Sequence, residues 1–170
     1  MKNLIVYYSR RGENYWNGEI KNLTKGNAET AAELIQQTVG GDLFQVETVK
    51  PYAENYKECC AEARSELDGN VRPAIRDFLD SIDDYVIIFL VYPCWFSTLP
   101  MCMFTFLDRY DLTGKKLAPL CSNEGSGMGK SERDLHAHYP AATILPGLAI
   151  IGHRTLENAD RIADWAKKLQ

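Results

Sequence analysis

Residues 85–96 read Tyr-Val-Ile-Ile-Phe-Leu-Val-Tyr-Pro-Cys-Trp-Phe. The run Tyr85–Tyr92 does not alternate between polar and apolar side chains. A strand that is apolar on both sides is buried on both faces, which is typical of a central strand in a parallel sheet. This stretch therefore predicts an α/β protein with helices on both faces of the sheet.

Two other apolar runs, Leu4–Tyr7 and Leu117–Leu120, are also followed by distinctive loops. The three loops span Tyr8–Gly12, Tyr92–Phe96 and Cys121–Gly127. If the three runs are parallel neighbours, their loops emerge at the carboxyl rim of the sheet, where ligands bind in open α/β folds. A loop with a hydroxyl and arginines, an aromatic loop and a Gly-Ser-Gly loop at one rim suggest a flat ring that carries a phosphate. FMN is the leading candidate.

The remaining pattern predicts alternating strands and helices in a single domain of residues 1–170. Strands are expected at residues 3–8, 42–49, 85–92 and 115–120, and a fifth at 142–145 and 147–151, interrupted at Pro146. Helices are expected at residues 27–39, 56–67, 101–110, 128–138 and 158–169, the first with Asn27 as its N-cap. Ser9–Gly26 reads as a long polar connection. We expect a doubly wound, five-stranded parallel sheet of order 2-1-3-4-5.

Charge and hydropathy exclude two classes of partner. The net charge is −4, from 19 basic and 23 acidic residues, and no basic stripe with interleaved aromatic residues is present, which argues against nucleic acid. The longest apolar stretch, Val86–Trp95, is far shorter than the ~20 residues that span a bilayer. The chain enters a predicted strand after two residues, so we expect no secretory segment. We expect a cytoplasmic protein that works away from membranes.

The five cysteines have no C-x-x-C spacing and no histidine partners at zinc spacing. We interpret them as reduced thiols of a cytosolic protein, and no metal site is predicted. Cys102 and Cys121 fit the core, whereas Cys94 falls on a candidate site loop. His136 and His138 are interpreted as surface residues, because no third ligand is close in sequence.

Each loop has a functional and a structural interpretation. Ser9, Arg10, Asn27 and Thr30 could form a phosphate site at a helix N-terminus, or belong to an ordinary strand–helix connection. Trp95 and Phe96 could stack on a flat heterocycle, or pack on the following helix. The Gly-Ser-Gly loop could bring backbone amides close to a ligand edge, or form a plain turn.

Taken together, these motifs resemble the flavodoxins, specifically a bacterial flavodoxin-like group with an extended first loop. The resemblance covers nearly the whole chain. It rests on Tyr7-Tyr8-Ser9-Arg10, Gly12-Glu13-Asn14-Tyr15, Gly26-Asn27, Pro51-Tyr52, Tyr56, Arg72-Pro73, Tyr92-Pro93, Pro100-Met101, Phe104-Thr105-Phe106-Leu107, residues 121–129 and Gly147-Leu148-Ala149-Ile150.

The resemblance implies a flavodoxin fold that binds FMN non-covalently. By position, the phosphate would be held by Ser9, Arg10, Asn14, Asn27, Ala28, Glu29 and Thr30. The isoalloxazine ring would be flanked by Pro93, Cys94, Trp95, Phe96 and Ser97 and closed on its other side by Glu124, Gly125, Ser126 and Gly127. Tyr52 and Tyr56 would lie near its exposed edge.

Three positions qualify this assignment. Ala28 stands where the group usually has threonine, and Ser97 where it usually has glycine. Glu29 is compatible with a nearby phosphate if its carboxylate points to solvent.

Two redox functions remain open. The leading hypothesis is a one-electron carrier that serves a redox partner protein. The alternative is an NAD(P)H-dependent reductase of quinones or other small acceptors, in which the long first loop and the segment Pro51–Pro73 build a substrate pocket. A third interpretation is a binding module that has lost FMN, but the retained Trp95 and Gly-Ser-Gly loop argue against it. The oligomeric state is either a monomer or a homodimer.

Overall fold

The structure is a computed structural model that describes residues 2–170. Its elements are β1 (Lys2–Tyr7), β2 (Gly12–Trp16), β3 (Glu19–Leu23), α1 (Asn27–Val39), β4 (Asp42–Gln45), α2 (Tyr56–Asp68), β5 (Tyr85–Pro93), α3 (Met101–Leu107), β6 (Lys116–Asn123), α4 (Ser131–His138), β7 (Thr143–Ile144), β8 (Leu148–Ile151) and α5 (Ala159–Lys168). Two short 3-10 turns connect β8 to α5. Within the described residues, no helix is both long enough and apolar enough to cross a membrane.

The main sheet has the predicted doubly wound order. β1 lies between β4 and β5, β6 follows β5, and both β7 and β8 pair with β6, all in parallel. Counting β7 and β8 as one interrupted strand gives the order 2-1-3-4-5, which confirms the prediction. β7 pairs with the start of β6 and β8 with its end, on either side of the break at Pro146.

The central strand β5 separates two cores, as its uninterrupted apolar sequence predicts. Ile87, Phe89 and Val91 pack on the face that α1 and α5 cover. Ile88 and Leu90 point to the opposite face, which α3 and α4 cover. Full burial of such side chains contributes roughly 1.5–3 kcal/mol each. The two cores hold the strand ends, and therefore the three loops, in fixed positions at one rim.

The long polar connection after β1 is an antiparallel hairpin, so its interpretation as a polar loop was wrong. Strands β2 and β3 pair over Gly12–Leu23 and form a small sheet of their own. Asn17 and Gly18 connect them with φ angles of 48° and 89°. Positive φ at both central residues is the geometry of a type I′ turn, which Asn-Gly favours.

The predicted edge strand is shorter than expected, because its second half pairs elsewhere. β4 ends at Gln45, and Thr48 then forms an antiparallel bridge with Ile75. The backbone N–H of Val49 donates to the Ala74 carbonyl at 2.9 Å. This pairing places the connection that leads into α2 beside the carboxyl rim.

Candidate functional site

A cleft of about 370 Å³ opens at the carboxyl ends of β1, β5 and β6. This volume lies in the range of roughly 300–1,000 Å³ that is usual for small-molecule sites. The lining combines residues of the three loops, the hairpin and α2: Arg10, Asn14, Tyr15, Asn27, Tyr56, Cys59, Cys60, Ala63, Pro93, Cys94, Trp95, Phe96, Ser122, Asn123, Glu124 and Ser126. The predicted meeting of the three loops is therefore observed.

The first loop packs tightly against the start of α1. Gly26 is the N-cap residue, so Asn27 is the first helical residue and not the predicted cap. The capping contact comes from Ser9, whose Oγ accepts a hydrogen bond from the backbone N–H of Glu29 at 3.0 Å. A Cβ on Gly26 would collide with the Ser9 side chain and lie 2.7 Å from the Arg10 carbonyl oxygen. This close packing of the first loop on α1 places the Asn27 side chain at the cleft.

Arg10 and Arg11 make contacts within the protein. The Arg10 guanidinium donates to the carbonyls of Glu13 at 2.8 Å, Ala53 at 2.9 Å and Glu54 at 2.7 Å, which joins the hairpin to the segment before α2. Arg11 forms two hydrogen bonds with the buried Glu29 carboxylate. Glu29 therefore does not point to solvent, and Arg11 balances its charge.

The hairpin forms one wall of the cleft through Asn14 and Tyr15. The Asn14 Nδ2 group donates to the carbonyls of Arg10 at 2.9 Å and Gly12 at 3.1 Å. These bonds hold the side chain in place, and because both are made by Nδ2 they do not use its acceptor oxygen.

The aromatic loop turns sharply at the mouth of the cleft. Trp95 and Thr98 exchange backbone hydrogen bonds of 3.0 and 3.2 Å, while Phe96 and Ser97 have φ angles of 51° and 69°. Trp95 packs edge-on against Tyr8 and Tyr52, with ring centroids 5.1 and 5.0 Å apart. One part of the indole therefore packs against the core, and another part faces the cleft.

Phe96 lies at the rim rather than in the core. The residue is 40% exposed, and the Arg64 guanidinium of α2 lies 5.3 Å from its ring centroid. This contact links the aromatic loop to α2 across the cleft mouth.

The third loop is organised by Asn123, a residue that the sequence interpretation did not single out for a role. Its Oδ1 accepts hydrogen bonds from the backbone N–H groups of Gly125 at 2.9 Å and Gly127 at 3.1 Å. Those amides, which one of the two sequence interpretations brought close to a ligand edge, therefore already have a partner. The loop instead presents the Ser126 and Glu124 side chains to the cleft.

Glu124 is held by His153, which the sequence interpretation missed. The Glu124 carboxylate accepts from the His153 backbone N–H at 3.0 Å and contacts its Nδ1 at 2.6 Å. The preceding residue, Gly152, lets this pair approach, since a Cβ there would lie 2.7 Å from Asn27 Nδ2 and 2.9 Å from Ser122 Oγ. No local motif in the sequence brings residues 124 and 153 together.

Helix α2 supplies the remaining wall, with Tyr56, Cys59, Cys60 and Ala63 facing the cleft. Their spacing of three, four and seven residues places them on one helical face, a signal that could have identified this wall. The backbone N–H of Tyr56 donates to the Glu13 carboxylate at 2.6 Å, which ties α2 to the hairpin. Burial raises the pKa of Tyr56 to about 12 and that of Cys59 to about 11.

The pKa of Cys94 is shifted in the opposite direction, downward. Hydrogen bonds from the Cys121 thiol, the Ser126 hydroxyl and the Ser97 backbone favour its thiolate and lower its pKa to about 6, although burial opposes them. Cys121 lies one strand away and is fully buried.

The flavodoxin family model matches residues 21–169 of the chain. The chain belongs to the flavodoxin family. FMN is the cofactor of that family, and the fold described above is that of a flavodoxin-like flavoprotein. No curated protein sequence matches the chain significantly.

Solved structures show the same architecture. A Bacteroides eggerthii protein described as a candidate flavoprotein is 26% identical, with 95% of this chain and 98% of that chain covered and a TM-score of 0.72. A Lactobacillus acidophilus flavoprotein in complex with FMN is 19% identical, with coverages of 94% and 98% and a TM-score of 0.67. An NAD(P)H:quinone oxidoreductase from Methanothermobacter marburgensis is 12% identical, with coverages of 99% and 96% and a TM-score of 0.59. The last two likenesses concern the fold alone.

The cleft of this flavodoxin has the chemistry that FMN requires. Pro93, Trp95 and Ala63 provide apolar surface for a flat ring, while Asn14, Asn27, Ser122 and Ser126 provide hydrogen-bonding groups. The cradle at Gly26, which a Cβ would fill, lets the first loop reach the start of α1. The start of α1 carries the positive end of the helix dipole, which favours an anion such as a phosphate. The residues present therefore fit the cofactor.

Nine of the sixteen residues predicted for the cofactor site line the cleft: Arg10, Asn14, Asn27, Pro93, Cys94, Trp95, Phe96, Glu124 and Ser126. The other seven lie around it. Ser9 and Ser97 support its loops, Ala28 is buried in the core, and Glu29 pairs with Arg11. Thr30, Gly125 and Gly127 face neighbouring cavities.

Proposed function

We propose that this flavodoxin holds FMN in the cleft and acts as a one-electron carrier for a redox partner in the cytoplasm. The observation that carries the proposal is the size of the cleft. A volume of about 370 Å³, walled by the hairpin, α2 and the three loops, suits a single flat ring system. A nicotinamide stacked on that ring would need a second layer of space. Five free cysteines support a reducing compartment.

The proposed orientation follows from the distribution of polar groups. Asn14 and Asn27, beside the start of α1, would hold the phosphate end. Pro93, Cys94, Trp95, Glu124 and Ser126 would surround the ring. When bound, FMN supplies the redox chemistry, and the protein supplies position and electrostatics. Phe96, exposed at the rim, would mark the edge where a partner approaches.

The charges of the chain also fit a low-potential carrier. Glu124 places a carboxylate at the cleft wall, and the net charge of the protein is −4. Negative charge near a redox group disfavours the addition of an electron and so lowers its reduction potential.

The second candidate function is an NAD(P)H-dependent reductase of quinones or other small acceptors. The observation in its favour is the construction of the α2 wall. Helix α2 buries Cys59 and Ala63 but leaves most of its other side chains partly or fully exposed. A wall with so little buried surface can move outward and make room for a second ring.

The deciding experiment is to load the protein with FMN and follow its visible spectrum with NAD(P)H, with and without a quinone. A carrier keeps its flavin oxidised under these conditions, and during stepwise chemical reduction it shows a radical EPR signal near the half-reduced point. Rapid NAD(P)H oxidation that depends on the quinone would establish the reductase instead. A free-FMN spectrum would overturn both candidate functions.

A further inference from the structure

Cys94 is a nucleophilic group that lines the cleft. The proposed electron transfer does not use its thiol as a reactant. It follows β5 on the aromatic loop and is half-buried, with its side chain at the cleft. Its backbone N–H donates to the Ser122 carbonyl at 2.8 Å, which fixes the residue at the rim. The Ser126 hydroxyl donates to its sulfur at 3.3 Å. A thiol that receives hydrogen bonds is prepared to carry negative charge.

A second thiol strengthens this arrangement. Cys121 pairs in register with Tyr92, two residues before Cys94, so both cysteines face the same core. The hydrogen bond between the thiols is the largest influence that lowers the pKa of Cys94, and it raises the pKa of Cys121. This contact therefore favours the thiolate of Cys94 over that of the buried Cys121.

The other thiols of the protein provide a contrast. Burial raises the pKa of Cys59, on the α2 wall of the same cleft, to about 11 and also raises that of Cys102. The charged or titratable groups that line the cleft with Cys94 are Arg10, Glu124, Tyr15, Tyr56, Cys59 and Cys60. Among these neighbours the positive charge of Arg10 favours a thiolate, and the negative charge of Glu124 disfavours it.

We propose that Cys94 is a site of reversible oxidation by hydroperoxides, and that its oxidation prevents the uptake of FMN. The second part rests on the proposed position of FMN in this cleft. The thiolate sulfur attacks one peroxide oxygen, an S–O bond forms and the O–O bond breaks. The departing hydroxide or alkoxide takes a proton from water. Sulfur loses two electrons and becomes a sulfenic acid, the peroxide is reduced to water or an alcohol, and thiols reverse the oxidation.

The consequence for the cofactor follows from the lining of the cleft. Oxidation adds an oxygen atom to a side chain that borders the proposed ring position, beside Ser126 and Trp95. The added atom occupies ligand space and changes the hydrogen bonds of the third loop. Bound FMN would in turn shield Cys94 from peroxide.

The first test measures alkylation of the FMN-free protein by iodoacetamide, with the product at each cysteine quantified by mass spectrometry. At pH 7 the larger thiolate fraction of Cys94 is mostly offset by its lower intrinsic nucleophilicity, so we expect only about 2–3-fold faster reaction than an ordinary thiol. At pH 5.5 the same arithmetic gives about 20-fold. The assay is therefore decisive in mild acid, where Cys60 in the same cleft serves as the internal comparison.

Substitutions connect the reactivity to its cause. Ser126→Ala removes one hydrogen bond to the sulfur and should slow the reaction of Cys94 at pH 5.5 several-fold. Ser65→Ala, the same change on the exposed surface of α2, should leave it unaltered. A rate for Cys94 within two-fold of that for Cys60 at pH 5.5 would overturn the proposal.

The second test treats the protein with hydrogen peroxide and dimedone and then measures FMN uptake by fluorescence. We expect the adduct at Cys94, its loss in Cys94→Ser and reduced FMN uptake by the treated wild-type protein. An adduct mainly at another cysteine would refute the oxidation site, and unchanged uptake would refute the link to FMN. Because alkylation and adduct formation need no FMN, they stand even if the untreated protein fails to bind it.

Discussion

The turn at Phe96 and Ser97 provides the most direct prediction of stability. Both residues have φ angles in the left-handed region, 51° and 69°, within a turn that Trp95 and Thr98 close by reciprocal backbone hydrogen bonds. This is type I′ geometry, which favours glycine at its second central position. Ser97 therefore holds a strained backbone in place, and Ser97→Gly should stabilise the protein.

The magnitude follows from two opposing effects. A left-handed conformation costs a residue with a Cβ roughly 1–2 kcal/mol. Glycine loses more conformational freedom on folding, which costs roughly 0.5–1 kcal/mol. The difference is a gain of about 0.5–1 kcal/mol in the free energy of unfolding, or about 1–4 °C in Tm for a chain of this size. The hydrogen bond from the Lys130 N–H to the Ser97 carbonyl, 2.6 Å long, belongs to the backbone and is kept.

Urea unfolding of the FMN-free protein, followed by far-UV circular dichroism, measures this gain. Ser97→Ala retains the Cβ and should not stabilise the protein. Ser65→Gly makes the same chemical change inside helix α2, where it should destabilise by about 0.5 kcal/mol. If Ser97→Ala stabilises as much as Ser97→Gly, or if Ser97→Gly destabilises, then backbone strain at Ser97 is not the controlling effect.

Other sites give further predictions. Gly26→Ala should lower the free energy of unfolding in urea by about 1–3 kcal/mol and weaken FMN binding, because its Cβ meets the Ser9 side chain and the Arg10 carbonyl. Gly69→Ala is the milder control, since its Cβ would lie 3.1 Å from Val71 Cγ2. Equal losses in the two variants would contradict this reasoning. In the same assay, Trp95→Ala should lower the free energy of unfolding by about 1–3 kcal/mol, because it removes the ring contacts with Tyr8 and Tyr52. Trp95→Phe should lower it clearly less. Equal losses would show that these contacts are unimportant. Burial raises the pKa of Glu66 above 4.5 despite the hydrogen bond from Tyr52. The protonated Glu66 side chain therefore stabilises the fold fully below about pH 4.5, and this stabilisation is lost as the pH rises through the raised pKa. Unfolding from pH 4 to 7 should therefore show Glu66→Gln gaining on the wild type as the pH rises, with exposed Glu19→Gln as control, and a constant difference would refute this sign.

The order of the sheet was predictable because β5 has no polar alternation and the chain alternates between strands and helices. The hairpin was also within reach of sequence analysis. Asn17-Gly18 between Trp16 and Ile20 is a strong signal for a type I′ turn, but the many polar residues nearby favoured the interpretation as a loop. The position of the cleft followed from the topology, since the carboxyl ends of neighbouring parallel strands share one rim.

The detailed contacts of the cleft were harder to predict from the sequence, because they depend on which distant residues the fold brings together. Arg10 was predicted to bind phosphate, yet three carbonyls bind its guanidinium. The amides of Gly125 and Gly127 donate to Asn123, whose role local sequence does not reveal. His153 lies 29 positions from Glu124, and no spacing rule connects them.

The hairpin of β2 and β3 has a consequence for how long a ligand stays bound. It pairs with itself and forms a sheet separate from the main one, while Asn14 and Tyr15 close one side of the cleft. A two-stranded hairpin is marginally stable alone, so it can open while the two cores remain intact. Release of a ligand then becomes a local event with its own rate. Changes at the Asn17-Gly18 turn would adjust residence time independently of global stability.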